Sequence, residues 1–244
     1  MNRSAARMLR LLEAAADFGI EGVGLIDLCD ATEIDKSTAL RFLETARELG
    51  WLTRDPNTRR YALGPKVLSV AARSSSDAGR QEVQVQLERL RDLSSETASF
   101  HMRRDDVRVA VAGAESLHDF RRSYRAGEIC SLTEGAASKA ILAHVDTDER
   151  IVIVNRAGAE ISAMSAQLEA VRTHGYLATD GDRTQGVGAV ASPVFVGDRV
   201  IGSVALSGPS SRFDESVRSA IATEVVAAAA VITEAYASRE KGDK

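Results

Sequence analysis

The sequence predicts an α+β protein with two domains, for three reasons. The first quarter of the chain spaces its apolar residues as helices do and ends in two short strand-like segments, whereas alternating patterns typical of strands begin at Thr97. A serine-rich stretch between these parts marks a boundary. The 244 residues, 44% of them hydrophobic, suffice for a core in each part. We predict a first domain over 1–64, a linker helix over 65–79 and a second domain over 80–244.

The composition excludes several classes of protein. A formal net charge of −4 argues against nonspecific attraction to nucleic acid. We find no apolar run near membrane-spanning length and no secretory signal pattern, so we expect a cytoplasmic protein without a membrane partner. The two cysteines, Cys29 and Cys130, lie far apart and have no Cys or His neighbour at ligand spacing. We therefore predict no disulfide, no metal site and no cofactor.

Helices followed by a hairpin account for the first domain. Apolar residues at helical spacing predict helices over 2–18 and 25–31. A third helix is expected after the turn that contains Ile34, which should fill the angle between the second and third helices. Strands over 51–54 and 59–63 should then flank a strong Asp-Pro-Asn-Thr turn signal. This order is typical of a winged helix-turn-helix.

The third helix is marked at both ends. Asp35 can cap its first turn, and Gly50 supplies a left-handed stop. One face is polar and the other is apolar, so we expect a half-buried helix. The residues predicted to face the core are Ala39, Phe42, Leu43, Ala46 and Leu49.

The polar face of this helix carries the candidate DNA contacts. Lys36, Ser37 and Thr38 open the helix, where side chains and backbone amides can meet phosphate. Arg41 lies one turn later, where it can reach a base edge. On the hairpin we expect backbone or minor-groove contacts from Arg54, Arg59 and Arg60. The competing interpretation, an ordinary helix cap and a solvated surface, accounts less well for the agreement of helix, turn and hairpin in order.

The charge of the first domain limits how it can bind DNA. Residues 1–64 hold nine basic and ten acidic side chains. Arg47, at the edge of the polar face, is expected to pair with Glu44 or Glu48. Binding must therefore depend on where the charges lie and on more than one copy of the domain.

The second domain is predicted to contain one antiparallel sheet flanked by helices. A hairpin begins at Thr97 and continues through alternating valines to Val111. Asp214 is expected to cap a final helix that runs to about residue 238. Between them we predict helices over about 135–143 and 162–174 and strands over 176–180, 188–196 and 199–207.

Motifs from both domains carry a resemblance to a known family. They are, in order, Asp35-Lys36-Ser37-Thr38, Leu49-Gly50-Trp51, Arg59-Arg60-Tyr61-Ala62-Leu63-Gly64-Pro65, Gly135-Ala136-Ala137-Ser138-Lys139-Ala140, Gly175-Tyr176, Ala191-Ser192-Pro193-Val194 and Ser207-Gly208-Pro209. From about residue 4 to residue 236 the chain resembles the isocitrate lyase regulator (IclR) family of bacterial transcription factors. The resemblance implies a winged helix-turn-helix, a linker helix and a GAF-like effector domain. It also implies a homodimer or a dimer of dimers on an inverted-repeat operator, and ligand-controlled repression or activation of a catabolic operon.

The resemblance also implies an effector pocket in the second domain. The amides of Ala136 and Ala137 open a helix, a placement suited to a carboxylate, and Ser138 follows where the family usually has glycine. The other candidate pocket residues are Thr179, Ala189, Ala205, Ser207 and, as an apolar wall, Leu132. Many members carry cysteine in place of Ala189 and some carry aspartate in place of Thr179. We therefore expect a larger or less polar effector than a small oxoacid, among organic acids and aromatic carboxylates.

Two other functions stay open at this point. Ser138 beside Lys139 suggests an enzyme, but adjacent helical residues point in different directions, and the four histidines have no triad or metal spacing. We therefore predict no catalytic residues. Cys29 or Cys130 could make the protein a thiol-based redox sensor, which alkylation without effect on DNA affinity or effector response would exclude.

Overall fold

The computed structural model describes residues 2–74 and 77–240. The chain divides into two compact units, Met1–Ser76 and Asp77–Lys244. Within the predicted linker, helix α4 covers Pro65–Ser74 and another helix begins at Asp77, while residues 75 and 76 lie outside the described part.

The N-terminal unit has the predicted winged helix-turn-helix. Strands β1 and β2 pair antiparallel, with Leu52 opposite Leu63. The elements that precede α4 are α1 (Arg3–Asp17), a 3-10 turn (Gly19–Glu21), α2 (Leu25–Thr32), α3 (Lys36–Glu48), β1 (Leu52–Arg54) and β2 (Tyr61–Leu63).

The apolar face of α3 holds this helix in the core of the unit. Ala39, Leu43 and Ala46 are buried as predicted, and Ile34 enters the same core from the preceding turn. The prediction for Leu49 is wrong, because this side chain is 58% exposed. Leu49 lies beyond the last helical residue, next to the reversal of the chain at a positive φ, so helical spacing no longer applies to it.

The turn before α3 stores backbone strain at Glu33. This residue ends α2 with φ 55° and ψ 32°, a left-handed conformation that glycine adopts at least cost. We expect Glu33→Gly to raise the free energy of unfolding of the N-terminal unit by about 0.5–1 kcal/mol. Denaturant titration followed by fluorescence of the lone tryptophan, Trp51, reports on this unit. Glu33→Ala, which keeps a β-carbon, is the control, and an equal gain in that variant would contradict the explanation.

The C-terminal unit is built on a six-stranded antiparallel sheet with the strand order β5-β4-β3-β8-β7-β6. The predicted antiparallel sheet is confirmed. The elements are α5 (Asp77–Ser94), β3 (Thr97–Arg104), β4 (Val107–Ala114), β5 (Ile129–Ser131), α6 (Gly135–Leu142), α7 (Thr147–Arg156), α8 (Ile161–His174), β6 (Leu177–Asp180), β7 (Val187–Val196), β8 (Arg199–Pro209) and α9 (Glu215–Glu240).

Sequence patterns did not predict β5 or α7. Strand β5 has three residues and depends on pairing with β4, where Cys130 lies opposite Arg108. Helix α7 contains the run Ile151-Val152-Ile153-Val154, in which Ile153 and Val154 are buried and the preceding two side chains are exposed. A run of β-branched residues is more typical of a strand, and the local helix signals are the Asp146 cap with the acidic first turn of Asp148 and Glu149.

Helices cover both faces of the sheet, but not completely. Helices α5 and α9 pack on one face with Phe100 and Phe213 in their core. Helices α6 and α8 cover the β6–β8 part of the opposite face. On that side, the loop over residues 115–128 covers strands β3 and β4. A cavity lies between this loop, α6 and the sheet.

The expectation that the chain has no apolar run near membrane-spanning length is wrong for helix α9. Its segment Glu215–Ser238 is long and apolar enough to cross a membrane by length and composition alone. The helix packs on β7 and α5, and it buries Val225 and Ile232 in the core of the unit. A core helix of a folded domain has the same composition, so we assign α9 to the core.

Candidate DNA-binding surface and effector cavity

The start of α3 presents two cations beside a helix cap. Asp35 accepts the Thr38 amide at 2.9 Å and the Ser37 hydroxyl at 2.6 Å. These two hydrogen bonds hold the pKa of the Asp35 carboxyl well below its usual range, so it is charged at neutral pH. Lys36 and Arg41 are exposed, and neither forms an ion pair with any residue that the structure describes. Ser37 and Thr38 thus serve the cap, while Lys36 and Arg41 offer free charges.

The hairpin presents arginines at a fixed turn. Asp55 accepts the amides of Asn57 at 2.8 Å and Thr58 at 2.7 Å, which orders the turn. The Arg54 guanidinium lies 5.1 Å from the centre of the Tyr61 ring, and its Nε donates to the carbonyl of Arg59. These contacts order Arg54, and the two arginines that follow the turn, Arg59 and Arg60, are exposed.

The charge between α3 and the hairpin is mixed. Arg47 pairs with Glu44 at 2.8 Å, as predicted, and this contact raises the pKa of the Arg47 guanidinium. The groove beside this pair also contains Asp55. The cations available to DNA are therefore those at the start of α3 and on the hairpin, in agreement with the near-neutral charge of the domain.

The cavity of the C-terminal unit has a volume of about 80 Å³. Strand β3 contributes Ser99 and His101, and β4 contributes Arg108. Six of the predicted pocket residues line it: Ala136, Ala137, Thr179, Ala189, Ala205 and Ser207. The alternation of strands β6, β7 and β8 places the last four on this side of the sheet.

The structure places Leu132 and Ser138 away from the cavity lining. Leu132 is fully buried in the core between α6 and the sheet. The Ser138 hydroxyl donates to the carbonyl of Ser131 at 2.6 Å and accepts Arg108 Nε at 2.7 Å. Ser138 thus positions Arg108, which itself lines the cavity.

Sequence patterns missed the arginines of the cavity. Its lining includes Arg108, Arg122, Arg125 and Arg183, and it is therefore more polar than expected. Arg108 lies between valines on β4, yet it is only 4% exposed, because its side of the strand lines the cavity. Val111, at the register shift between β3 and β4, is 45% exposed instead. The sequence signal that could have indicated a buried arginine is the position of Arg108 within a run of valines.

A buried polar chain holds Arg108 in place. Arg108 Nη1 donates to His101 Nδ1 at 2.6 Å, and His101 Nε2 lies 2.9 Å from the Ser99 hydroxyl. Burial and the neighbouring Arg108 hold the pKa of His101 well below its ordinary value, so the ring is neutral. A neutral ring that accepts at Nδ1 carries its proton at Nε2, which donates to Ser99.

Two carboxylates of the lining have partners within the protein. Asp182 accepts the Gly135 amide at 2.9 Å and pairs with Lys139 at 2.6 Å. Glu128 pairs with Arg183 at 2.8 Å, and this pair lowers the pKa of Glu128 and raises that of Arg183. The lining contains four arginines and two carboxylates, so it carries a net positive charge, which suits an organic anion.

The cysteines have little of the chemistry that a thiol sensor needs. Burial and nearby acidic groups raise the pKa of the Cys29 thiol, which reduces its thiolate fraction. Cys130 is buried at the edge of the sheet, opposite Arg108. The structure therefore gives no support to the redox alternative.

Comparisons with known proteins agree with this arrangement. The IclR helix-turn-helix domain matches residues 4–56, and the bacterial transcriptional regulator IclR C-terminal domain matches residues 75–234. The HTH-type transcriptional regulator KdgR of Escherichia coli (strain K12) is 28% identical over 206 residues, which cover 79% of this chain and 78% of that protein.

Solved structures share the fold. An IclR transcriptional regulator from Alicyclobacillus acidocaldarius is 22% identical with a TM-score of 0.79, covering 97% of this chain and 99% of that one. An IclR homolog from Microbacterium hydrocarbonoxydans, complexed with 4-hydroxybenzoate, is 18% identical with a TM-score of 0.77, covering 96% and 98%. Because the two domain models together span most of the chain, the protein belongs to the IclR family, whose members are DNA-binding, non-enzymatic transcriptional regulators with a C-terminal effector domain.

Proposed function

We propose that this protein changes its affinity for an operator when a small organic acid binds in the cavity of the C-terminal unit. The observation that carries the proposal is the net positive lining of that cavity, with Arg108 held at its base. The 4-hydroxybenzoate bound by the Microbacterium hydrocarbonoxydans homolog supports a carboxylate as ligand. Ala136 and Ala137 of the helix and Ser207 of the sheet would supply hydrogen-bonding groups for the uncharged part of the ligand.

The DNA partner in this proposal is an inverted-repeat operator bound by a homodimer or a dimer of dimers in the cytoplasm. Each N-terminal unit would place α3 in the major groove, with Arg41 at a base edge and Lys36 near phosphate. Arg54, Arg59 and Arg60 of the hairpin would contact the backbone or the minor groove. Paired domains reading two half-sites compensate for a unit that has little net charge.

The regulatory step in this proposal is a change in the spacing of the paired recognition helices. The chain passes from one unit to the other through α4 and α5, so the arrangement of the effector domains could bias that of the DNA-binding domains. Effector and DNA then alter each other's affinity reciprocally. The controlled genes would be a catabolic operon beside the gene for this protein, under repression or activation.

The proposal is tested with the promoter region adjacent to the gene and the full-length protein. We expect an organic acid that binds the protein to shift the dissociation constant for this DNA by about 5-fold or more, measured by fluorescence anisotropy. The Arg108→Met variant should bind the same DNA in the absence of acid and should lose the shift. An acid that binds without changing DNA affinity would contradict the proposed coupling.

A further inference from the structure

Arg108 carries a buried positive charge without a counter-ion in direct contact among the described residues. The side chain is 4% exposed, and its hydrogen-bond partners are the neutral groups of Ser138 and His101. Glu128 favours the charged form of Arg108 only from beyond ion-pair distance, and its carboxylate is paired with Arg183. Arg108 forms no ion pair with any described residue, and its Nη2 makes no hydrogen bond within the described ranges 2–74 and 77–240. Buried charges are normally paired. Since Arg108 lines the cavity, the missing anion is expected from a ligand.

The partial positive charge at the start of α6 is already neutralised by a carboxylate of the same chain. Asp182 accepts the first amide of this helix, from Gly135, and its second partner is the Lys139 ammonium. A ligand carboxylate placed directly at this helix end would meet the Asp182 charge. The internal carboxylate therefore directs the anionic group of a ligand away from the end of α6 and toward Arg108.

The loop over residues 115–128 brings a second cationic group to the same cavity. Arg125 lines the cavity and forms no ion pair with any described residue, whereas Arg122 lies 3.8 Å from Glu128. Between them Tyr124 also lines the cavity, and its hydroxyl is fully buried without a hydrogen-bond partner among the described residues. The Tyr124 ring lies against Gly113 of β4, where a β-carbon would come within 2.4 Å of the ring. Close packing of Tyr124 on the sheet thus fixes the loop that carries the unpaired Arg125 at the cavity.

We propose that the cavity binds a compact dianion whose negative charge is shared between Arg108 and Arg125. This ligand is the effector of the proposed function, so the inference rests on that function. The shared chemistry is two negative charges in one small molecule, carried by the two carboxylates of a short dicarboxylate or by the single phosphate group of a small phosphate monoester. The cavity volume of about 80 Å³ favours a compact ligand.

The experiment compares matched pairs of anions by calorimetric titration of the full-length protein at pH 8 and constant ionic strength. The pairs are succinate against butyrate, and methyl phosphate against methanesulfonate; a phosphate monoester is a dianion at this pH. We expect at least one dianion to bind 10-fold or more tightly than its monoanionic partner, since a second charge-assisted contact is worth about that factor. The pair that shows the preference identifies the dicarboxylate or the phosphate ester.

Variants locate the negative charge of the ligand. Arg125→Met should lower the affinity for the dianion about 10-fold and leave that for the monoanion unchanged, and Arg108→Met should abolish binding of both. Arg104→Met, which removes an exposed arginine of β3 outside this cavity, is the matched control and should change neither. Circular dichroism of Arg108→Met checks that the variant is folded, and Arg125→Met provides an independent test at an exposed position.

Equal or weaker binding of both dianions than of their partners would overturn the inference, as would a preference that survives Arg125→Met. Failure of the proposed function has a different signature. A dianion that binds at Arg108 without changing operator affinity would contradict the coupling and leave the inference standing. A monoanion that binds as tightly and shifts operator affinity would support the coupling and overturn the inference.

Discussion

Arg41→Ala is expected to remove most of the sequence preference of the protein for its operator. Arg41 is exposed on α3, one turn after the capped start, and has no ion-pair partner among the described residues. A bidentate arginine contact to a base pair contributes about 1–3 kcal/mol of discrimination. A dimer that reads two half-sites would therefore lose roughly 2–6 kcal/mol. Competition titrations with operator and scrambled DNA at fixed salt measure this loss.

Two arginine variants serve as controls for Arg41. Arg60→Ala, on the hairpin, should weaken binding to operator and scrambled DNA alike, because a phosphate contact carries no sequence information. Arg47→Ala should leave discrimination unchanged, since the Arg47 side chain is paired with Glu44. Unchanged discrimination in Arg41→Ala, or a loss as large in Arg47→Ala, would remove Arg41 from the base-reading role.

Lys139→Met is expected to destabilise the C-terminal unit by about 3–5 kcal/mol. Lys139 and Asp182 pair at 2.6 Å with side chains only 8% and 18% exposed. Without the ammonium, the Asp182 carboxylate would keep only the Gly135 amide as a partner in a mostly buried place. The cost is that of an uncompensated buried charge. Urea denaturation of the full-length protein, followed by circular dichroism, measures the change.

The exposed pair between Arg156 and Asp106 provides the matched control. Its side chains are 67% and 33% exposed, so Arg156→Met should cost less than about 1 kcal/mol. The double variant Lys139→Met/Asp182→Leu should recover part of the stability, because it removes both buried charges. If Lys139→Met costs no more than Arg156→Met, the buried pair does not support the fold of the cavity.

Much of the N-terminal unit was predictable from local patterns. The start of α3 follows from Asp35, and its buried face follows from the spacing of Ala39, Leu43 and Ala46. The pairing of Arg47 with Glu44 follows from their separation on one helix. These features depend on residues within a few positions of one another, which is the range that a single sequence reveals. The predicted burial of Leu49 was wrong because the exact end of a helix depends on how the chain turns.

The C-terminal unit was predictable only in part, because its cavity joins distant segments. The strands and most helices followed from periodicity, but α7 and β5 depend on packing and on pairing. The family resemblance pointed to residues of α6 and of the sheet that line the cavity, and it missed the arginines. Arg108 and Arg183 lie 75 positions apart in the sequence, and no local pattern indicates that they share a site.

The amino-acid sequence alone was thus enough for the fold class, the family and the position of the candidate recognition helix, because each depends on short-range spacing of apolar, capping and basic residues. Tertiary structure was needed for the charge of the effector cavity. Arg108 is buried beside the cavity and forms no ion pair with any described residue, which is why we propose it as a ligand-binding group, and Asp182 reaches the start of α6 from a segment 47 residues away. Whether a charged side chain has a partner depends on which residues the fold brings next to it, and the sequence alone does not show these neighbours.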